Sequence, residues 1–390
     1  MQQPTDSTWQ DQVVQICQSL VQLETPSGKE KPVIDRVADW MHTLEFDDIR
    51  IDECGNVIGT LHGGEGGPTV MYDSHVDTVP AADAEQWAYP PYSATLTDDR
   101  LYGRGTSDMK GALAASMVGL ALAKKEGKLA GTALVSASVG EEHIEGLAMG
   151  YAVEHYQPDL VIICESTALK LATAQRGRAE INIAVQGKSA HASNPDVGIN
   201  AFRQMSRLVI ELDKLQPPEH ELLGRGILEP TTVISSPYPN VSVIPWRCDA
   251  RYDRRTLVGE DADAVLSPIR EVIARLSQED SKFRAEAEIV AGEFTCYTGL
   301  KLEQETFAPA WEMDRNSNWV VQAQSLLGGA ELGHYSFCTN GSYSLGRAGI
   351  PTLGYGPGYE HSAHTTDEYL ELEQLYGAVV GYYNLAGIVG

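Results

Sequence analysis

The sequence predicts an α/β protein in which a mixed-sheet domain is interrupted by a smaller βαββαβ unit. Three observations predict this. Short apolar runs alternate with stretches of helical period through Glu165. Three of those runs end on a His or a carboxylate: Thr69 to Ser74 on His75, Thr132 to Val139 on Glu141 and Glu142, and Leu160 to Cys164 on Glu165. After Ala179 the rhythm changes to strand, helix, two strands, helix, strand, the order of a ferredoxin-like unit.

In chain order, Thr8 to Leu23 places Val13, Val14, Ile16, Leu20 and Val21 at helical spacing, and Pro26-Ser27-Gly28 stops that helix. Val33 to Leu44 restarts one, and Val57 to Leu61 reads as a strand. The glycines of His62 to Pro68 lack a following Gly-Lys-Ser/Thr, so a turn is expected there and not a phosphate loop. Met109 to Lys125 reads as a helix with Asp108 just before it. Ligand-type residues at the carboxyl ends of strands sit where open α/β sheets bind ligands. In the interrupting unit, Ala179 to Gln186, Glu229 to Ser235, Val241 to Tyr252 and Phe283 to Val290 are the expected strands, and Ile199 to Leu215 and Glu260 to Ser277 the helices. A helix over Asn316 to Leu327, a strand over Thr352 to Tyr355 and a closing helix from Thr366 return the chain to the first domain. The expected boundaries are 1–176, 177–293 and 294–390.

With 390 residues there is room for a sizeable core in each domain. A net charge of −25, from 54 acidic and 29 basic residues, disfavours nucleic acid, which needs a basic face. No stretch has the length and apolarity of a membrane span, and Met1-Gln2-Gln3-Pro4-Thr5-Asp6 does not resemble a signal peptide. Six cysteines stand singly without Cys-x-x-Cys, which together with that N-terminus leads us to expect a cytoplasmic protein.

The chemistry is carried by His75-Val76-Asp77, Asp108, Glu141-Glu142, Glu165 and His364. Two His with three carboxylates is too much charge for one structural zinc and about right for a pair of metals sharing a carboxylate. A paired-metal site with a spare Glu can make hydroxide and attack a carbonyl, so the pattern points to a hydrolase.

Ser74-His75-Val76-Asp77-Thr78-Val79-Pro80, Gly103-Arg104-Gly105-Thr106-Ser107-Asp108-Met109-Lys110-Gly111, Gly140-Glu141-Glu142, Gly187-Lys188-Ser189-Ala190-His191-Ala192 and His364-Thr365-Thr366-Asp367-Glu368 occur in that order. In this the chain resembles the co-catalytic zinc metallopeptidase family of acetylornithine deacetylase, succinyl-diaminopimelate desuccinylase, aminoacylase and glutamate carboxypeptidase. The resemblance implies a zinc-peptidase-like catalytic domain with an inserted lid and dimerisation domain, hence a homodimer. It implies two divalent metal ions, zinc or else cobalt or manganese. His75 and Glu165 would bind one, Glu142 and His364 the other, and Asp108 both. Asp77 would orient His75, and Glu141 would be the general base for a metal-bridging hydroxide that cleaves an N-acyl amino acid or short peptide. His191 would reach the partner subunit's site and stabilise the oxyanion. Asn240 and Arg251 would contact substrate, and Gly356-Pro357-Gly358 would line its pocket. Cys296-Tyr297-Thr298-Gly299 and Phe337-Cys338-Thr339-Asn340-Gly341 depart from the commoner deacetylase patterns and resemble a subgroup labelled as selenium-metabolism-linked hydrolases.

Plainer readings compete with each assignment. Asp108 would serve as an N-cap, Glu141-Glu142 as an acidic pair favoured by a helix start, and Arg251 as a partner of Asp249 or Asp253. His361 rivals His364, and His143 reads as a bystander. The alternative functions are a dipeptidase or carboxypeptidase of the same family, a phosphoester hydrolase with a similar metal pair, and a non-catalytic metal-binding paralogue.

Overall fold

Strand pairing in the computed structural model, which describes residues 1–82, 84–239 and 241–390, resolves the alternation into a nine-stranded mixed sheet. Across it run Asp48–Ile51, Val57–His62, Thr132–Ser138, Thr69–His75, Leu160–Ile163, Thr352–Gly354, Leu171–Gln175 and Trp311–Glu312, with Leu332–Tyr335 also beside Leu171–Gln175. The four from Thr132–Ser138 to Thr352–Gly354 are mutually parallel and nearly wholly buried, as strands covered on both faces should be. Helix Gly111–Lys125 is apolar almost all round and lies in the core, against helix Leu372–Leu385. Gly119 permits that approach, since a Cβ there would fall 2.6 Å from the Val379 carbonyl oxygen.

Residues 1–175, 293–303 and 311–390 form this first unit, and 176–292 with 304–310 form a second. The second unit is an antiparallel sheet in the order Ile227–Ser236, Arg247–Thr256, Gly177–Gln186, Ala285–Ile289. Helices Ala201–Leu212 and Ala262–Glu279 pack on one face of it, giving the βαββαβ order. Arg247–Thr256 alternates strictly, burying Cys248, Ala250, Tyr252, Arg254 and Thr256. Asn200 and Asp261 cap the two helices, accepting from Arg203 N and Ala264 N.

Several element boundaries differ from the sequence reading. The chain is not helical from Thr366: Tyr369–Glu371 first pairs with Arg100–Tyr102, and the closing helix starts at Leu372. The strand expected from Val241 starts at Arg247. Segment 304–310 groups with the second unit because Phe307 and Ala308 pair with Ala179 and Arg178. Among the described residues, no helix is long and apolar enough to cross a membrane.

Candidate active site

The parallel strands bring the sequence-predicted ligands to one edge. His75 ends Thr69–His75, Glu165 follows Leu160–Ile163 with only Cys164 between, and Glu141-Glu142 follow Thr132–Ser138 after a turn at Gly140, φ +71°. The fourth strand, Thr352–Gly354, leads to Gly356. Glu141-Glu142 do not start a helix, which begins only at Leu147. Asp108 caps nothing either: it lies off the helix at φ −128°, ψ 88°, and its carboxylate faces imidazoles.

Asp108 Oδ1 is 2.9 Å from His75 Nε2, and its Oδ2 is 3.1 Å from His364 Nε2. Glu165 Oε1 lies 3.2 Å from the same nitrogen of His75, and Glu142 Oε1 lies 3.1 Å from that of His364. The ligand atoms of His75, Asp108 and Glu142 fall within 4.8 Å of one another, as do those of His75, Glu141 and Glu165. Donors about 2.0–2.1 Å from a tetrahedral zinc sit about 3.3 Å apart, so the carboxylate–imidazole spacings are close to those of donors sharing an ion. His75 Nδ1 is 2.9 Å from the carbonyl oxygen of Asp77, which can only accept. Nδ1 therefore carries the proton and Nε2 is left as the ligand atom.

The Asp77 carboxylate itself is 3.6 Å from His75 Nδ1 and spends its hydrogen bonds elsewhere. It accepts the N–H groups of Glu141 and Glu142, each at 3.1 Å, and the Ser27 hydroxyl at 2.7 Å. One residue thus holds the imidazole by its backbone and the paired-Glu turn by its side chain.

The cluster concentrates negative charge out of water. Burial pushes the Glu165 carboxyl up to about 7, with the neighbouring Asp108 adding to it. Burial likewise holds Glu141 well above the usual range and raises Glu142. Hydrogen bonds to Asp108 and then Glu142 raise His364 to about 10. Burial would lower His75, but the nearby carboxylates of Asp108, Asp77 and Glu165 win and hold it high. Burial opposes ionisation of Asp108, yet hydrogen bonds from His364 and His75 keep it well below the carboxylate range. Oxygen and nitrogen donors with an excess of buried carboxylate fit divalent cations of the zinc type.

A search of family models matches residues 71–387 to "Peptidase family M20/M25/M40". The chain belongs to that family. Its members hydrolyse amide bonds, and so does this M20/M25/M40 enzyme. It is 32% identical to the uncharacterised protein YgeY of Escherichia coli K12, over 92% of this chain and 90% of that one. Acetylornithine deacetylase of Aliivibrio fischeri MJ11 is 28% identical over 87% and 86% of the two chains. Among solved structures, the aminopeptidase PepT of Bacillus cereus superposes with a TM-score of 0.75 at 20% identity, covering 97% of this chain and 99% of that one.

The other sequence-predicted residues of this M20/M25/M40 chain fall in two places. Gly356 passes directly behind Glu165, where a Cβ would meet the Cys164 carbonyl oxygen at 2.1 Å and that of Glu165 at 2.5 Å. His191 and Arg251 belong to the second unit. His191 is exposed, and its Nδ1 accepts the Ser193 N–H at 3.1 Å, so in the neutral ring Nε2 holds the proton. Arg251 pairs with Glu180 at 3.4 Å and not with Asp249 or Asp253, whose carboxylates are held by Arg247 and by Arg178 and Arg255. Asn240 lies outside the described residues. His361 is exposed and stacks on Tyr359, while His143 bonds the Glu293 carbonyl.

Sequence reasoning missed three supporting residues. Glu368 accepts the N–H groups of Ser107 and Asp108 at 2.9 and 3.1 Å while paired with buried Arg104 at 2.6 Å. Asn340 donates to Asp73 at 2.8 Å and accepts the Gly146 N–H at 2.7 Å, bracing the turn after Glu142. Tyr335 donates to the carbonyl oxygens of Ile163 and Glu165. Glu368 was within reach of the sequence, since it closes the His364-Thr365-Thr366-Asp367-Glu368 motif.

Proposed function

We propose that the chain is a deacylase of small N-acyl amino acids, working with two divalent metal ions, zinc in the first instance, held by the cluster at the strand ends. The observation that carries this reading is Asp108, which offers one oxygen to each imidazole, with Glu141 buried alongside. His75 and Glu165 would hold one ion, Glu142 and His364 the other, and Asp108 both. Bound there, the ions supply Lewis acidity that lowers the pKa of water towards about 7 and polarises a carbonyl. Glu141 takes the proton of the attacking water on its carboxylate and later returns it to the leaving amine nitrogen. Its burial, which raises its affinity for a proton, suits that exchange. Asp77 keeps His75 in the liganding tautomer and fixes the backbone of Glu141.

His191 Nε2–H serves as a donor to the developing oxyanion. Arg251, and Asn240 by the family resemblance, contact the substrate's carboxylate or carbonyl, and Gly356 lines the pocket. The second unit acts as lid and dimerisation domain. Its edge strand Ile227–Ser236 exposes Ile227, Val233 and Ile234, and Phe202 and Ile210 are more than half exposed on a helix, which supports pairing with a second copy. A mass measurement in solution that finds a monomer removes this part.

The acetylornithine deacetylase relative favours deacylation, and the family's peptidase description makes short peptides the second reading. The test is amine release from a panel of N-acyl amino acids and dipeptides, using metal-free protein with zinc, cobalt or manganese restored. Metal-dependent release from the acyl amino acids alone is expected. Release from dipeptides alone moves the reading to peptidase, and release from neither with two metals bound refutes it.

A further inference from the structure

Away from the cluster, two buried thiols meet. Cys54 lies in a turn closed by the Gly55 N–H donating to the Asp52 carbonyl at 3.1 Å, and Cys296 opens one closed by Gly299 N–H donating to its own carbonyl at 2.9 Å. The two turns are clamped face to face. Tyr297 Oη donates to the Gly55 carbonyl at 3.0 Å, and Thr298 Oγ1 donates to the Glu53 carbonyl at 2.8 Å. The Tyr297 ring covers Gly55 so closely that a Cβ there would fall 2.3 Å from it. Cys54 and Cys296 lie buried in these two facing turns, and each thiol perturbs the other. Nothing in the hydrolytic site uses either residue.

We propose that Cys54 and Cys296 form a reversible disulfide site oxidised by small hydroperoxides. The Cys296 thiolate attacks one oxygen of the peroxide and the O–O bond breaks. The departing hydroxide takes the proton that Cys296 released and leaves as water. The Cys54 thiol then displaces the sulfenic hydroxyl, which leaves with the Cys54 proton as a second water. Two thiols lose two electrons together, and one hydrogen peroxide is reduced to two waters.

Two further observations support this order of events. The neighbouring Cys54 lowers the Cys296 thiol pKa, while Cys296 and burial raise that of Cys54, an asymmetry that suits Cys296 as the attacking sulfur and Cys54 as the resolving one. Both thiols are buried, and the residues just before Cys54 in the chain, Asp52 and Glu53, line a surface cavity of about 420 Å³ together with Arg50, Tyr151 and His155. The consequence is mechanical. Cys296 sits between Ala291–Thr295 and Lys301–Glu305, which pair as a two-stranded sheet. Residues 293–303 of that hairpin belong to the first unit, whereas the chain on either side belongs to the second. The disulfide therefore pins the hairpin's turn to the segment before Val57–His62.

The experiment uses metal-loaded full-length protein exposed to graded hydrogen peroxide, then digested without reductant for mass spectrometry. A Cys54–Cys296 cross-linked peptide is expected, reversed by dithiothreitol and accompanied by slower amide hydrogen exchange over 293–303. In Cys54→Ser the cross-link should vanish and Cys296 should be trapped by dimedone as the sulfenic acid. The proposal is overturned if both thiols stay reduced at peroxide doses that fully oxidise free glutathione. It is also overturned if either thiol pairs elsewhere, or if the cross-link forms without slowing exchange. The wild-type mapping decides the matter even if a serine variant fails to fold.

Discussion

Gly356→Ala tests whether the sheet edge is built to the tolerance the site requires. The new Cβ would stand 2.1 Å from the Cys164 carbonyl oxygen and 2.5 Å from that of Glu165. Both are backbone atoms, so no side chain can swing aside, and an ordinary contact requires the two segments to part by about 1 Å. Overpacking of this kind costs about 1–3 kcal/mol. The displaced segment carries Glu165, whose Oε1 is 3.2 Å from His75 Nε2. Misplacement by about 1 Å at a reacting centre costs about 10²-fold in rate. Gly333→Ala is the control: it lies in the same sheet, and its nearest neighbour would be an ordinary contact at 3.6 Å. Urea unfolding, metal content and kcat should all fall for Gly356→Ala and hold for Gly333→Ala. Equal stability and metal content in the two variants would refute the reasoning, whatever the substrate proves to be.

The remaining predictions follow from single groups. Glu141→Gln should lower kcat by about 10²–10⁴-fold while two metals remain bound, because it removes a proton carrier and not a ligand; retained turnover removes Glu141 from the mechanism. His191→Ala should lower kcat by about 10²–10³-fold with little change in KM, and equal effects on both would make it a binding residue. Burial, then the neighbouring Asp77, raises the Glu30 carboxyl to about 7 from an ordinary 4.5. A raised folded-state pKa gives stability that is present below 4.5 and lost as pH rises through 7. Between pH 5 and 8.5 the wild type should lose about 2–3 kcal/mol that Glu30→Gln keeps, as read by urea unfolding at the two pH values. Glu368→Ala should cost about 3–5 kcal/mol by leaving the buried Arg104 guanidinium unpaired, and a denaturation midpoint within error of wild type would contradict that.

What was legible in the sequence was whatever a local pattern carries. Apolar runs ending on His75, Glu141-Glu142 and Glu165 announce strands whose carboxyl ends bear ligands, and the structure gathers those residues at one edge of the parallel strands. The change of period after Ala179 announced the βαββαβ unit. What escaped was fixed by distant partners. Tyr369–Glu371 is a strand only because Arg100–Tyr102 is there to pair with it; by itself the segment has no strand alternation to set against the helix that follows. Phe307 and Ala308 join the second unit through Gly177–Gln186, more than a hundred residues away. Arg251 was offered two acidic neighbours along its own strand, but on a pleated strand the cross-strand neighbour Glu180 competes with them.

The same distinction explains how the cluster is closed. Asp77 couples two strand ends, through its carbonyl to His75 and through its carboxylate to the Glu141-Glu142 backbone, so neither can shift alone. Asp108 has no strand to fix it and lies in irregular backbone before its helix. One short downstream segment holds it instead: His364 faces its carboxylate, and Glu368 binds its N–H. His364 adopts a left-handed φ of 58°, a conformation costly for a residue with a side chain and sustained here by what surrounds it. The residue shared by both halves of the cluster is thus positioned last in chain order, by a segment that lies beyond the whole second unit. A chain cut between that unit and residue 364 would retain the strand ends and their carboxylates but lose both contacts that set Asp108 between the imidazoles.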